Sequence, residues 1–97
     1  MPLDVVAVIT AKPGSEEVVQ QALSELVTAT RTEEGCLSYA LNRSAADPAV
    51  FVTVEQWREQ ADLDAHLQTP HLQHALAVAG EHLAAPPAIH PLQPVSG

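Results

Sequence analysis

Basic residues are scarce in this chain, with four Lys and Arg against twelve Asp and Glu and a net charge of −8 over 97 residues. A charge of that sign repels phosphate backbones and anionic lipid heads across a Debye length, so nucleic acid and membrane surfaces are poor partners. Cysteine is nearly absent. The one thiol, Cys36, cannot close an internal disulfide, which fits a reducing compartment. No His or Lys adjoins Cys36 in sequence, and it reads as a buried strand residue rather than a reactive thiol. No apolar run approaches the ~20 residues of a membrane span, and Met1-Pro2-Leu3-Asp4 has no basic leader character, so a cytoplasmic location is expected. A Gly-rich phosphate loop, a nucleophile elbow and a Cys pair are all missing, and nucleotide, acyl-transfer and zinc-ribbon readings lapse with them. Aromatics make up only 3%, yet 46% of residues are hydrophobic, enough for a packed core. The length suits a single domain over residues 1–97, with a core from 3 to 83 and a proline-rich strand or tail from 84 to 97.

The pattern along the chain gives alternating elements. Residues 3–11 are rich in β-branched side chains and stop at Lys12-Pro13-Gly14, which predicts a first strand and a turn. Ser15 is placed to cap a helix whose first turn carries Glu16 and Glu17 and whose apolar stripe is Val19, Leu23, Leu26 and Val27, running to about Arg31. Glu33-Glu34-Gly35 predicts a stop with a glycine able to take positive φ. Leu37, Tyr39 and Leu41 then alternate with polar or small residues in a second strand, joined through Ala46-Asp47-Pro48-Ala49 to a third over residues 50–57. In that third strand Phe51, Thr53, Glu55 and Trp57 face one side, and Val50, Val52, Val54 and Gln56 the other. A short helix over 59–68 precedes Thr69-Pro70, a cap and first-turn proline, and a helix buried along Leu72, Ala75, Leu76, Ala79 and Leu83. Prolines 86, 87, 91 and 94 restrict a fourth strand within 88–95 to a short edge element.

The order β-α-β-β-α-β predicts an α+β, ferredoxin-like antiparallel sheet with helices on one face. The other face would carry Val50, Val52 and Val54, an apolar patch larger than a monomer usually leaves in water. A homodimer formed through that open face, a dimeric α+β barrel, is therefore expected.

Four segments, Ala11-Lys12-Pro13-Gly14, residues Thr30 to Tyr39, Glu55-Gln56-Trp57 and residues Asp64 to Leu72, together resemble the antibiotic biosynthesis monooxygenase family. The resemblance runs from residue 3 to about 83. It implies a ferredoxin-like homodimer with a pocket in each subunit between sheet and helices. Members of the family include oxygenases that convert anthrones or quinols to quinones without metal or flavin, haem-degrading enzymes, and an isomerase of a phosphorylated signalling sugar. The haem-degrading branch has a tryptophan where this chain has His66 and a histidine where it has Leu76, which argues against haem degradation here. The anthrone branch places an asparagine and a tyrosine where Thr53 and Leu63 stand, while Trp57 is kept, so different polar groups would have to serve.

Direct attack of oxygen on an electron-rich phenolate or carbanion needs a dry, aromatic-friendly pocket, a base, and donors for the developing oxyanion. His66 is the leading base, because imidazole titrates near neutrality. A bracing role in its helix is the competing reading. Trp57 could line the pocket or belong to the core, and Tyr39 is a candidate oxyanion or substrate donor. Phe51, Thr53, Glu55 and Leu63 complete the candidate pocket. Glu55, if buried, would need a partner, with Arg43 or Arg58 in reach, and a structural pair outweighs catalysis. His71 and His74 stand at i, i+3, but no third ligand shares the spacing, and no bound metal is expected. The favoured reading is a monooxygenase without metal, flavin or other cofactor, acting on a small aromatic substrate with molecular oxygen. A small-molecule-binding or stress-related domain without catalysis, or an isomerase or cyclase using the same pocket, are the alternatives.

Overall fold

A computed structural model describes residues 2–96. Its elements run β1 (Leu3–Thr10), α1 (Glu16–Thr30), β2 (Cys36–Arg43), β3 (Val50–Trp57), α2 (Gln60–His66), α3 (Pro70–Ala79), a 3-10 turn (Gly80–His82) and β4 (Ala88–Pro91). The strands form one sheet in the order β2-β3-β1-β4, every neighbouring pair antiparallel. That order, with the last strand beside the first, is the ferredoxin-like α+β fold expected from the sequence. β4 is as short as its prolines require, pairing only Ala88 to Pro91 with Val8 to Val5 at the sheet edge. No helix among the described residues is long and apolar enough to cross a membrane.

Local chemistry explains most boundaries and corrects three expectations. Gly14 takes φ 88° in the turn after β1, the one positive-φ glycine among the described residues. Gly35 does not. Its lack of a side chain is needed for space, since a Cβ there would collide with the Asp62 side chain. Ser15 precedes α1 without capping it, and its hydroxyl instead meets His82 Nδ1 at 3.1 Å. Leu37 does not share a face with Tyr39. A bulge between Cys36 and Ser38 makes it the unpaired residue and leaves it 51% exposed, while Cys36 turns inward. Thr69 behaves as expected, accepting a hydrogen bond from the Leu72 amide at 3.3 Å with Pro70 in the first helical turn.

The buried stripe of α1 and the inner sheet face make two adjoining apolar clusters. One is mainly aliphatic, with Ile9, Val19, Leu23, Leu26 and Leu72 around Phe51. The other holds Val5, Val27, Tyr39, Trp57 and Leu63. On the outer face cross-strand rows place Val6 beside Val54 and Ala40, and Val8 beside Val52. These residues are half-buried or exposed, Val54 at 51%. The outer face is thus apolar and uncovered within one chain, as the alternation of β3 predicts.

Candidate functional site

A cavity of about 190 Å³ opens between the inner sheet face and helices α1 and α3. Aliphatic side chains form most of its wall, among them Ile9, Leu26, Leu63 and Leu72. Leu76 and Leu83 also line it, but against expectation Leu76 is 38% exposed and Leu83 lies beyond the end of α3. The polar groups that reach the wall are Tyr39, Thr53, Glu55 and His66. A cavity near 150 Å³ accommodates a benzene ring, so this one suits a small substituted aromatic molecule.

Two inward residues of β3, Thr53 and Glu55, build the floor, with Trp57 behind them. Glu55 is 5% exposed, and its two oxygens each accept one hydrogen bond, from Thr53 Oγ1 at 2.6 Å and from the Trp57 indole Nε1 at 2.8 Å. Neither Arg43 nor Arg58 reaches it. Arg43 bonds Gln20 at 3.3 Å, and Arg58 forms a two-pronged pair with Asp62 at 2.8 and 3.0 Å. The guanidinium beside Asp62 holds that carboxyl below the usual aspartate range. Burial of Glu55 is therefore compensated by residues two positions away on its own strand, a pairing that the period-2 geometry makes local.

Trp57 and Phe51, expected at the pocket wall, lie behind it, at 0% and 1% exposure. Trp57 instead supports the wall from within. Its indole packs against the His66 ring with centroids 4.7 Å apart and an interplanar angle of 39°, and Tyr39 meets the indole edge-on at 6.4 Å. The Tyr39 ring also lies 5.7 Å from His66. Burial, followed by the nearby Glu55 carboxylate, pushes the Tyr39 phenol well above its ordinary range, so it stays a neutral hydrogen-bond donor. Burial likewise raises the Cys36 thiol, with Glu33 and Glu55 adding to the effect, which matches an inert strand cysteine.

His66, the last residue of α2, is 3% exposed. Its Nδ1 lies 2.7 Å from Glu33 Oε2, and His71 Nε2 approaches the same oxygen at 2.7 Å. A carboxylate oxygen only accepts, so both rings donate to it. In the neutral ring an Nδ1 proton leaves Nε2 with the lone pair, and no hydrogen bond to that atom is seen among the described residues. Such a carboxylate–imidazole pair fixes tautomer and ring orientation. Two local devices hold the pair. The Thr69 hydroxyl donates to the His66 carbonyl at 2.7 Å at the break between α2 and α3, which sets the offset of His66 from His71. The turn carrying Glu33 is pressed onto the start of α2, with Gly35 against Asp62 and the Arg58 amide donating to the Gly35 carbonyl at 2.9 Å.

The sequence pattern gives Glu33 only as part of a helix stop and His71 only as the i, i+3 neighbour of His74. His71 is half-buried and turned toward Glu33, while His74 stays exposed. Glu33 lies 33 residues from His66 and 38 from His71, and no local periodicity links them.

The fold and this cavity define a class of protein: ferredoxin-like domains with an apolar pocket under the helices, carrying a few buried polar groups. The model of the antibiotic biosynthesis monooxygenase family matches residues 2–78, and the chain belongs to that family. It is 35% identical over 94 residues to Rv0793 of Mycobacterium tuberculosis, a protein provisionally named a monooxygenase, covering 97% of this chain and 92% of that one. The solved structure of Rv0793 superimposes with a TM-score of 0.89 at 33% identity, covering 100% of this chain and 98% of the other. It is also 35% identical over 92 residues to "Probable quinol monooxygenase YgiN" of Escherichia coli, across 84% of this chain and 88% of that protein. The structure of PA3566 from Pseudomonas aeruginosa matches with a TM-score of 0.89 and 35% identity, over 98% and 95% of the two chains.

Proposed function

We propose that this protein is a monooxygenase of small hydroquinone-like aromatics that works without metal or flavin, with His66 as its base. The observation that carries the proposal is the His66 imidazole, buried at the wall of an apolar cavity, with Nδ1 donated to Glu33 and Nε2 left unpartnered. A cavity of about 190 Å³ lined mostly by aliphatic side chains suits a single substituted ring. The name of the quinol monooxygenase relative points to the same substrate class.

In this mechanism the ring hydroxyl lies at His66 Nε2, which takes its proton as Glu33 stabilises the imidazolium. The phenolate transfers an electron to oxygen, and recombination at the activated ring carbon gives a hydroperoxide. Loss of water leaves one oxygen atom on the ring and the other in water. His66 returns its proton to the peroxide oxygen, and the hydrogen of the attacked ring carbon leaves as a proton as the O–O bond breaks, so that hydroxide and this proton make the water. A hydroquinone and O2 thus give a hydroxyquinone and water, with oxygen reduced by the four electrons the ring loses. Tyr39, kept neutral by burial, donates to the oxyanion, and the aliphatic wall excludes water that would level the charge.

The functional unit is a homodimer joined through the outer sheet face, where Val6, Val8, Val52 and Val54 would be covered. Burying apolar area is worth about 25 cal/mol per Å², and an uncovered sheet face of this kind favours association.

The test is oxygen uptake by tag-free protein in chelator-treated buffer with a panel of substituted hydroquinones, followed by mass analysis of product formed under isotopically heavy oxygen. One heavy oxygen atom per product is expected. Quinone formed with stoichiometric hydrogen peroxide and no label would contradict the monooxygenase assignment.

A further inference from the structure

We propose that Glu33, His66 and His71 form a binding site for a zinc-class divalent cation, and that its occupancy switches off the base. The binding half stands on geometry alone; the switching half rests on the proposed role of His66. Three donors from three separate segments converge: Glu33 Oε2 from the turn after α1, His66 Nδ1 from the end of α2 and His71 Nε2 from the start of α3. All three lie within 4.8 Å of one another. Two imidazoles and one carboxylate suit zinc and its neighbours, whereas calcium and magnesium take oxygen-rich sets.

The donors stand 2.7 Å apart along each Glu33 contact, a hydrogen-bonding separation. Tetrahedral zinc with ligands at ~2.0–2.1 Å would spread neighbouring donors to roughly 3.3 Å. Each Glu33 contact must open by about half an ångström, and the two imidazole donors, which lie within 4.8 Å of each other, must settle at the same tetrahedral separation; Glu33 and His71 can supply these shifts because their side chains are 14% and 26% exposed. The same exposure gives a cation access and leaves the outer coordination positions to water. His66 stays fixed by Trp57 behind it. His74, the i, i+3 neighbour of His71, is not one of the converging donors.

Occupancy has a consequence for the tautomer. A metal on Nδ1 takes the lone pair of that atom, so the single proton of neutral His66 must move to Nε2. The ring then presents an N–H to the cavity where a lone pair stood, and it cannot accept a proton from substrate. His71 undergoes the reverse shift, from Nε2–H to Nδ1–H, and no net proton is released by the two rings.

The test titrates zinc chloride into the tag-free full chain by calorimetry, with heteronuclear NMR reading the imidazole tautomers. One zinc per chain is expected, with the His66 proton moving from Nδ1 to Nε2. Affinity should fall at least about tenfold in His71→Ala and Glu33→Gln, since loss of a ligand costs no less than loss of an outer-shell partner. It should be unchanged in His74→Ala and His90→Ala. Wild-type protein without a stoichiometric site, or His71→Ala binding as tightly as wild type, overturns the site. In oxygen uptake, zinc should inhibit wild type in step with occupancy, and the residual activity of His71→Ala should not respond over the same range. Zinc bound at one per chain with turnover unaffected leaves the site standing and overturns the switch. Absence of oxygen uptake at any zinc level counts against the monooxygenase reading, and the calorimetric and tautomer results still decide the site.

Discussion

The two faces of β3 invert the usual distribution of side chains. Its inward residues include a hydroxyl and a carboxyl, Thr53 and Glu55, at 2% and 5% exposure, while outward Val54 is 51% exposed. Both arrangements cost free energy unless something compensates. Inside, the compensation is visible in the Trp57 and Thr53 hydrogen bonds to Glu55. Outside, a second copy of the chain would supply it. The contrast is possible within one strand because its side chains alternate.

The inner face breaks most severely at Trp57. Trp57→Ala should cost about 3–5 kcal/mol, a large share of the ~5–15 kcal/mol available to a small domain, and thermal unfolding should show little native protein at 37 °C. Trp57→Phe keeps most of the ring and strands one Glu55 oxygen, for a loss of about 1–3 kcal/mol. Gly35→Ala, which drives a methyl group into Asp62, should cost about 1–3 kcal/mol by chemical denaturation and loosen the turn that carries Glu33.

The outer face breaks by charge. Val54→Asp should move the sedimentation profile from a dimer toward the 10.3 kDa monomer, while Val54→Ala should shift it only in part. A wild-type protein that sediments as a monomer at micromolar concentration would remove the outer half of the comparison.

Tyr39 sharpens the inner half through pH. Its phenol is raised in the folded state, so its contribution to stability is complete below the ordinary tyrosine value of ~10 and is lost as pH climbs above it. Because this is the single tyrosine in the chain, ultraviolet titration of phenolate reads it alone. Ionisation should appear only together with alkaline unfolding. Smallest of all is Thr30→Val. The Thr30 hydroxyl is buried without a partner among the described residues, and its removal should stabilise by up to about 1 kcal/mol in a thermal melt.

The fold was legible because its signals are local and periodic. Alternation marked both faces of β3, Pro70 and Thr69 marked a helix start, and the late prolines limited β4 to Ala88–Pro91. What escaped depends on contacts without a sequence period. The bulge that exposes Leu37 adds one residue to β2 and leaves no mark in composition. Residue type points to an arginine as the partner of Glu55, but an indole N–H on the same strand supplies it. At the site, His66, Tyr39, Thr53, Glu55 and Leu63 were found by residue type, strand face and family resemblance, and all five reach the cavity. Trp57 and Phe51 were placed on the correct face but one layer too far forward, since facing inward does not distinguish wall from core. Glu33 was missed because the pairing of a turn with a helix end is a property of the folded topology.

The central claim, that the buried polar groups of the inner face serve catalysis through His66, is tested most directly by His66→Gln. The glutamine amide can still donate to Glu33 but offers no base. Oxygen uptake with a hydroquinone that wild type turns over should fall by about 10² to 10⁴, with KM and the melting temperature nearly unchanged. Turnover within a few-fold of wild type, in a variant that melts normally, would contradict the account.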